Sequence, residues 1–355
     1  MSAVRRGIAL TPMETREDII VRTALLADEL GYEAFALPEA WSLDSTIMLT
    51  RIGLQTRRIT LVAGVLSVWG RTPATLAMTA ATLHRLTEGR FVLGLGTSTA
   101  ALAEGFHRTP FERPAARLRE VTREVRHLLN GGRAQYDVPG QAHELIARPL
   151  ALGLPAIPEL PIWLGAIGDR TVEVTSDLAD GWFPACQTRL GLAERAWQFS
   201  RPITVAAGPL TVAAADPKTA RTAVSSGIVW YLCAMGTHYS AAVVRQGHGD
   251  AVQAIHAANP SPSPFSGIVP ERAQALIDEL TVSGTPDQVR AGLAAWDEVA
   301  DIVMFGLPPG LPWHQIEATV RAAAPAATIP TTLTGVSYDE GLRRIGDSRR
   351  SNPVF

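Results

Sequence analysis

The chain has 355 residues, enough for one large globular domain or two small ones, and 46% of them are hydrophobic against 19% charged. The formal net charge of −2 gives no support for a nucleic-acid-binding surface. No apolar run has the length that spans a membrane, and residues 1–7 are not followed by the apolar segment of a signal peptide. Cys186 and Cys233 have neither metal-site nor CxxC spacing, so we expect reduced thiols in a cytoplasmic protein.

Short apolar runs alternate with longer amphipathic segments through the first half of the chain. The runs predict strands because they are too short for helices and are bounded by turn residues, whereas the amphipathic segments predict helices. The predicted strands span residues 8–10, 34–37, 59–65 and 91–93. The predicted helices span residues 15–30, 45–55, 73–86 and 114–129. This order, with short loops, indicates parallel strands joined by crossover helices.

The alternation breaks at about residues 133–159, where Pro, Gly and polar residues predict an inserted excursion. It then resumes with predicted strands at 160–164, 181–183, 203–214 and 301–305. Further helices are predicted at 171–178, 218–232, 286–296 and 313–323. Residues 233–280 are predicted to be irregular or to form short helices, with a loop at 259–264. Residues 330–355 are polar and lack a core pattern, which predicts a C-terminal arm or partly disordered tail.

Eight predicted strands, each followed by a helix, favour a (β/α)8 TIM barrel of the α/β class with an insertion after the fourth βα unit. We expect a single domain over residues 1–329 and a tail over residues 330–355. An open, doubly wound sheet is the alternative. It is less favoured because the first strand lacks a GxGxxG turn.

The active site of a TIM barrel lies at the C-terminal ends of the strands, and this rim is rich in glycine. After the fourth strand, Gly94 and Gly96 predict a turn without Cβ atoms against which a flat ligand can lie. Thr97 and Ser98 offer hydroxyl groups beside it. The chain has no Ser/His/Asp spacing, nucleophile elbow or HExxH motif, so we expect an organic cofactor and no metal site.

A second glycine-containing segment of the rim runs from Gly165 to Gly168 and opens a predicted helix. Free N–H groups at a helix start bind phosphate, and Arg170 could add a positive charge. An ordinary βα turn also explains these glycines, and the residues of this segment alone favour that simpler interpretation.

Several segments together resemble the luciferase-like monooxygenase superfamily, in particular its deazaflavin-dependent branch. Each segment alone is a weak signal, but their order and spacing cover most of residues 7–323. The matching segments are residues 27–32 (ADELGY), 37–41 (LPEAW), 71–77 (RTPATLA), 88–98 (EGRFVLGLGTS), 105–111 (GFHRTPF), 160–166 (LPIWLGA), 178–182 (LADGW) and 235–239 (MGTHY).

The resemblance implies a homodimeric TIM barrel that binds FMN or coenzyme F-420 (8-hydroxy-5-deazaflavin) with the ring in the barrel mouth. The run after the fourth strand and the Glu39 region are more similar to the deazaflavin members. The family's non-proline cis peptide maps to Gly64-Val65. Together the rim and the resemblance give the predicted cofactor-binding residues: Glu39, Gly64, Val65, Leu66, Gly94, Leu95, Gly96, Thr97, Ser98, Gly165, Ala166, Ile167, Gly168 and Arg170.

Three residues are candidates for catalysis, each with a simpler alternative. Glu39 could hydrogen-bond the cofactor or position a proton, or it could be a helix-start carboxylate, and the resemblance favours the first role. Trp41 could wall the pocket or only pack. His107 could donate a proton or, as a loop histidine, bond the backbone. His238 and Tyr239 could line the pocket or belong to the core.

The chain also departs from the family pattern. Several members carry an acid at the end of strand one, where this chain has Ala9-Leu10, and sugar-phosphate-oxidising relatives have a His after strand two, where this chain has Ala40. The substrate therefore stays open. We expect F-420-dependent hydride transfer to or from a small organic substrate, by reduction of C=C or C=N or oxidation of an alcohol. An FMN-dependent monooxygenase is the alternative, and a non-catalytic flavin-type binding barrel is the second.

Overall fold

The computed structural model describes residues 4–134 and 149–325. Most of the predicted insertion (135–148) and the predicted tail (330–355) lie outside the described residues. At the base of the insertion, Arg133 pairs in antiparallel fashion with Ala151. The strands are β1 (Arg6–Leu10), β2 (Ala34–Leu37), β3 (Thr60–Ser67), β4 (Phe91–Gly96), β5 (Ile162–Gly165), β6 (Gly181–Trp182), β7 (Thr204–Ala207), β8 (Leu210–Ala213), β9 (Thr281–Gly284) and β10 (Ile302–Leu307).

Eight of these strands form a closed barrel. The order is β1-β2-β3-β4-β5-β6-β7-β10, and β10 pairs in parallel with β1 to complete the ring. This confirms the predicted TIM barrel and excludes the open sheet. Inside the barrel a layer of buried residues fills the space below the rim: Ala34, Ala36, Val62, Val92, Trp163, Ala206, Ile302 and Met304.

The helices surround the barrel and bury their apolar faces against the outside of the sheet. Gly31, with φ near +80°, follows the first helix and lets the chain turn into β2. The helices are α1 (Glu17–Glu29), α2 (Ser45–Gly53), α3 (Pro73–Leu86), α4 (Pro114–Leu129), α5 (Asp169–Leu178), α6 (Arg189–Ala196), α7 (Pro217–Ala234), α8 (Thr237–Arg245), α9 (Gly249–Ala258), α10 (Gln274–Leu280), α11 (Pro286–Ala294) and α12 (Trp313–Ala322). A π-helix covers Ala101–Phe106, and a 3-10 helix covers Glu271–Ala273.

The predicted strand at 203–214 forms two strands instead of one. β7 ends at Ala207, and after Gly208-Pro209 the chain resumes as β8, which meets β10 at Leu210 and then pairs with β9 outside the barrel. β9 and α6 were not predicted. β9 has only four residues, and its strand structure depends on pairing with β8, which comes from a distant part of the chain.

The predicted glycine turn after residue 93 is wrong in part, because β4 continues through Gly94 and Gly96. Gly94 pairs with Trp163 and Gly96 pairs with Gly165 of β5. A Cβ atom on Gly94 would overlap the carbonyl oxygen of Ala63 in β3. Glycine is therefore required there by the close approach of two strands.

Within the described residues, no single helix is long and apolar enough to cross a membrane. The successive helices α7 and α8 are long and apolar enough only when they are taken together, and the chain bends by 107° between them.

Candidate active site

A cavity of about 700 Å³ opens at the C-terminal end of the barrel. This volume is in the range of small-molecule and cofactor sites. Its wall includes most of the predicted cofactor-binding residues: Glu39, Gly64, Val65, Gly96, Thr97, Ser98, Gly165, Ile167, Gly168 and Arg170. It does not include Leu66, Gly94, Leu95 or Ala166. The side chains of Leu66, Leu95 and Ala166 are buried in the core between the sheet and the helices.

A bulge in β3 shapes one side of the cavity. The Gly64-Val65 peptide bond is cis, as the resemblance implied, and the pairing of β3 with β4 shifts between Ala63 and Leu66. The backbone N–H of Glu39, just after β2, donates to the Val65 carbonyl oxygen at 3.4 Å. The bulge therefore brings the ends of β2, β3 and β4 together at the rim.

The side chain of Val65 occupies the space that the neighbouring glycines leave. A Cβ atom on Gly96 would lie 2.6 Å from Val65 Cγ2, and one on Gly165 would lie 3.1 Å from Val65 Cγ1. The surface that faces the cavity here is therefore Val65 packed on glycine backbone. An added Cβ atom on Gly96 would thus meet Val65, and the predicted ligand platform across Gly94 and Gly96 stays a prediction.

Glu39 is the centre of a charged cluster at the end of β2. Its carboxylate accepts two hydrogen bonds from Arg71, at 2.6 and 3.3 Å, and Asp44 lies 3.0 Å from the same guanidinium. The hydrogen bond to Glu39 raises the pKa of Arg71 against the opposing effect of burial. Asp44 is buried enough to oppose ionisation, but hydrogen bonds from Thr46 and Arg71 lower its pKa. Arg71 thus pairs with both carboxylates, and Glu39 reaches the cavity already paired.

The other two catalytic candidates do not reach the cavity wall. Trp41 is 43% exposed on the surface. The His107 imidazole packs against Gly70, where an added Cβ atom would lie 2.9 Å from the ring, and it contacts the edge of Phe106. Both roles stay predictions without support from the cavity geometry. His238 and Tyr239 do line the cavity.

The start of α5 forms another part of the wall. Gly168 precedes the helix, and its N–H donates to Thr171 Oγ1 at 3.2 Å while that hydroxyl donates to the Gly168 carbonyl. Asp169 at the first helical position pairs with Arg195 at 2.6 Å, and this hydrogen bond lowers its pKa. The Asp169 charge is therefore compensated, so it does not by itself prevent an anion from binding at this helix N-terminus.

Arg245 adds a cation that the sequence analysis missed. It lies at the end of α8, its guanidinium donates to the Ile167 carbonyl at 2.9 Å, and it lines the cavity with Arg170. No local motif marks it, because it is about eighty residues away along the chain. The helix N-terminus with two arginines fits the phosphate of a flavin-type cofactor.

Two buried polar atoms in the wall have no hydrogen-bond partner among the described residues. They are Thr11 Oγ1 at the end of β1 and Gln187 Oε1 after β6. Buried polar groups are normally satisfied, so orphaned atoms in a cavity wall fit a site whose ligand supplies their partners. Within residues 4–134 and 149–325, no group of three or more His, Cys, Asp or Glu side chains could hold a metal ion.

Comparison with known proteins gives the family. A sequence model of the luciferase-like monooxygenase family matches residues 3–301. The chain belongs to this family. It is 28% identical over 317 residues to a Mycobacterium tuberculosis protein named as a coenzyme F-420-dependent oxidoreductase, covering 80% of this chain and 88% of the relative. The predicted family is confirmed, and so is the prediction of an enzyme.

Two solved structures show the same fold. The coenzyme F-420-dependent tetrahydromethanopterin reductase of Methanopyrus kandleri superposes with a TM-score of 0.70 at 20% identity, covering 91% of this chain and 98% of that one. The oxygenating component of 3,6-diketocamphane monooxygenase from Pseudomonas putida, in complex with FMN, has a TM-score of 0.61 at 16% identity, covering 93% and 100%. Luciferase-like barrels with either cofactor thus share the architecture of this chain.

Proposed function

We propose that this luciferase-like enzyme is an F-420-dependent oxidoreductase that transfers a hydride between C5 of the deazaflavin and a small organic substrate. The reaction is the reduction of a C=C or C=N bond or the oxidation of an alcohol. The observation that carries the proposal is the cavity at the barrel mouth. Its wall combines the N-terminus of α5, which is suited to an anion, with the polar atoms of Thr11 and Gln187 that have no partner among the described residues. The M. tuberculosis relative, named as F-420-dependent and similar over 80% of the chain, supports the choice of cofactor.

The residues of the wall have distinct roles in this proposal. Val65, packed on Gly96 and Gly165, backs the cofactor ring, and Thr97 and Ser98 offer hydrogen bonds at its edge. The backbone after β5, with Arg170 and Arg245, holds the phosphate. When bound, F-420 supplies a hydride donor or acceptor at C5. The protein contributes the position of the substrate relative to that carbon and the exclusion of water.

Glu39 is proposed as a polar contact of the cofactor or substrate. Its two hydrogen bonds from Arg71 fix the carboxylate at the rim, where its oxygens act as hydrogen-bond acceptors. Glu39→Gln keeps the shape of the side chain and removes the charge. We expect it to weaken F-420 binding while Arg71 retains its contact with Asp44.

Fluorescence-quenching titrations with F-420 and with FMN test the choice of cofactor. We expect F-420 to bind much more tightly than FMN. Micromolar binding of FMN with no binding of F-420 would overturn the proposal and favour the monooxygenase alternative, to which the FMN-bound solved structure is similar in fold.

We also propose that the enzyme is a homodimer, as the resemblance implies. Ile47 of α2 and Met78 of α3 are 67% and 59% exposed, and such apolar side chains favour a protein contact. Light scattering after size-exclusion chromatography should give twice the chain mass, and Ile47→Glu with Met78→Glu should give the monomer. Leu190→Glu tests an equally exposed apolar residue on α6, and loss of the dimer in that variant instead would place the contact there.

A further inference from the structure

The side of the cavity formed by α7 and α8 differs chemically from the glycine-rich side. Because β8 leaves the barrel after Gly208-Pro209, side chains from the surrounding helices complete the wall there. We refer to this surface as the tyrosine wall; it consists of Leu210, Ile228, Tyr231, Met235, Tyr239 and Leu280. Apart from the two phenol hydroxyls, its side chains are apolar.

Tyr231 and Tyr239 form a pair at the centre of this surface. Their ring centroids are 5.3 Å apart with an interplanar angle of 79°, an edge-to-face contact. Among the residues that the structure describes, neither hydroxyl has a hydrogen-bond partner. Tyr32, in contrast, donates its hydroxyl to the Val320 carbonyl at 2.5 Å. Both side chains are half-buried in the cavity wall, so hydroxyls that have no partner in the protein are free to donate to a ligand bound there.

Both tyrosines are neutral hydrogen-bond donors at physiological pH. Burial raises the pKa of Tyr231 and of Tyr239 well above the ordinary value, and the neighbouring Cys186 adds to the effect. Burial also raises the pKa of the Cys186 thiol to about 12. The two hydroxyls therefore offer donors without charge, and Arg245, which lines the same cavity from α8, lies at the opposite end of that helix against the Ile167 carbonyl.

We infer that the tyrosine wall is the substrate subsite, and that it binds a neutral carbonyl compound with an apolar body whose oxygen accepts hydrogen bonds from Tyr231 and Tyr239. The inference rests on the proposed function and names its substrate class. The carbonyl compound is the ketone formed by alcohol oxidation, or an enone whose C=C bond is reduced. Leu210, Ile228 and Leu280 contact the apolar body.

A matched pair of probes tests this subsite on the protein without added cofactor. Acetophenone and α-methylstyrene have nearly the same shape, but a methylene group replaces the carbonyl oxygen in the second. Ligand-observed NMR titrations should show that the wild type prefers acetophenone by roughly two- to tenfold, the range for one neutral hydrogen bond. Tyr231→Phe combined with Tyr239→Phe should abolish that preference and leave the affinity for α-methylstyrene unchanged.

Two further variants separate hydrogen bonding from shape and folding. Ile228→Trp should weaken binding of both probes, because it fills the subsite. Tyr32→Phe also removes a buried hydroxyl, but outside the cavity, and should keep the preference. Thermal unfolding confirms that each variant is folded.

The outcomes distinguish the subsite from the proposed function. A double Phe variant that keeps the full preference for acetophenone would overturn the subsite. So would a wild type that binds F-420 but neither probe, and the proposed function would then stand. Binding of both probes with the expected preference, but without F-420 binding, would leave the subsite and overturn the cofactor proposal.

Discussion

The two sides of the cavity are formed by different kinds of contact. On the side of β3, β4 and β5, glycines let the backbones approach closely and Val65 covers them. On the side of α7 and α8, two tyrosines face the cavity without polar partners among the described residues. The first side is fixed by strand packing, whereas Tyr239 of the second lies at the edge of a core cluster formed by the helices outside the barrel. We therefore expect substitutions on the glycine side to affect folding first, and those on the tyrosine wall to affect ligands first.

The largest effect is expected at Gly94. An added methyl group would overlap the Ala63 carbonyl oxygen, and a backbone atom cannot rotate away. Gly94→Ala should lower the free energy of unfolding by about 3 kcal/mol or more. Chemical denaturation measures it. Gly105→Ala is the matched control, since its Cβ atom would meet nothing within 4 Å, and a Gly94→Ala variant as stable as this control would contradict the packing argument.

Substitution of Gly96 should lower the stability by less than substitution of Gly94, and a second substitution should restore it. Its added Cβ atom would lie 2.6 Å from Val65 Cγ2, a side chain that can be shortened. Gly96→Ala should cost roughly 1–2 kcal/mol of stability and also weaken F-420 binding, since Val65 must shift at the cavity surface. In a double-mutant cycle, Val65→Ala should recover most of the stability. Additive losses would show that the two residues do not compete for this space.

The sequence was informative where a constraint is local. Gly31, the alternation of runs and the eight barrel strands follow from neighbouring residues, and the resemblance located the Gly64-Val65 cis bond. Gly94 and Gly96 were singled out, but what lies against them is Ala63 and Val65, about thirty residues away in β3. A glycine pattern indicates that another group lies close to the backbone, but it does not specify whether that group belongs to a ligand or to the protein.

The tyrosine wall and Arg245 could not be located in the same way. Tyr239 was named as a residue that could line the pocket, but Tyr231 lies in the predicted helix 218–232 and Arg245 in a region predicted only as irregular or short helices. Their common position depends on β8 leaving the barrel to pair with β9. Thr11 and Gln187 are likewise ordinary residues in the sequence. Only the fold shows that their polar atoms are buried without partners.

Gly168, at the start of α5, allows ligand binding to be separated from folding. Its backbone angles (φ −100°, ψ 152°) suit any residue, and an added Cβ atom would meet only Thr171 Oγ1 at 3.7 Å. Gly168→Val should therefore leave the fold intact, at a small cost in stability because valine is a poor N-cap residue, but its side chain should hinder the approach of the cofactor phosphate. We expect F-420 affinity to fall by about tenfold, equivalent to about 1.4 kcal/mol. An unchanged affinity would place the phosphate elsewhere in the cavity.

The smallest effect is expected at Cys186, beside the tyrosine wall. Burial raises its thiol pKa from 9.0 to about 12, so the folded protein keeps the thiol protonated where the unfolded chain ionises it. Its contribution to stability is therefore fully present below about pH 9 and is lost as the pH rises from about 9 toward 12. Cys186→Ala should reduce the slope of unfolding free energy against pH in that window and leave the slope near neutral pH unchanged.

Cys233→Ala is the control, because burial raises the pKa of that thiol as well but it lies outside the cavity wall. Parallel denaturation series at pH 7 and pH 10 compare the two variants, and equal slopes for Cys186→Ala and wild type above pH 9 would show that the thiol is solvated.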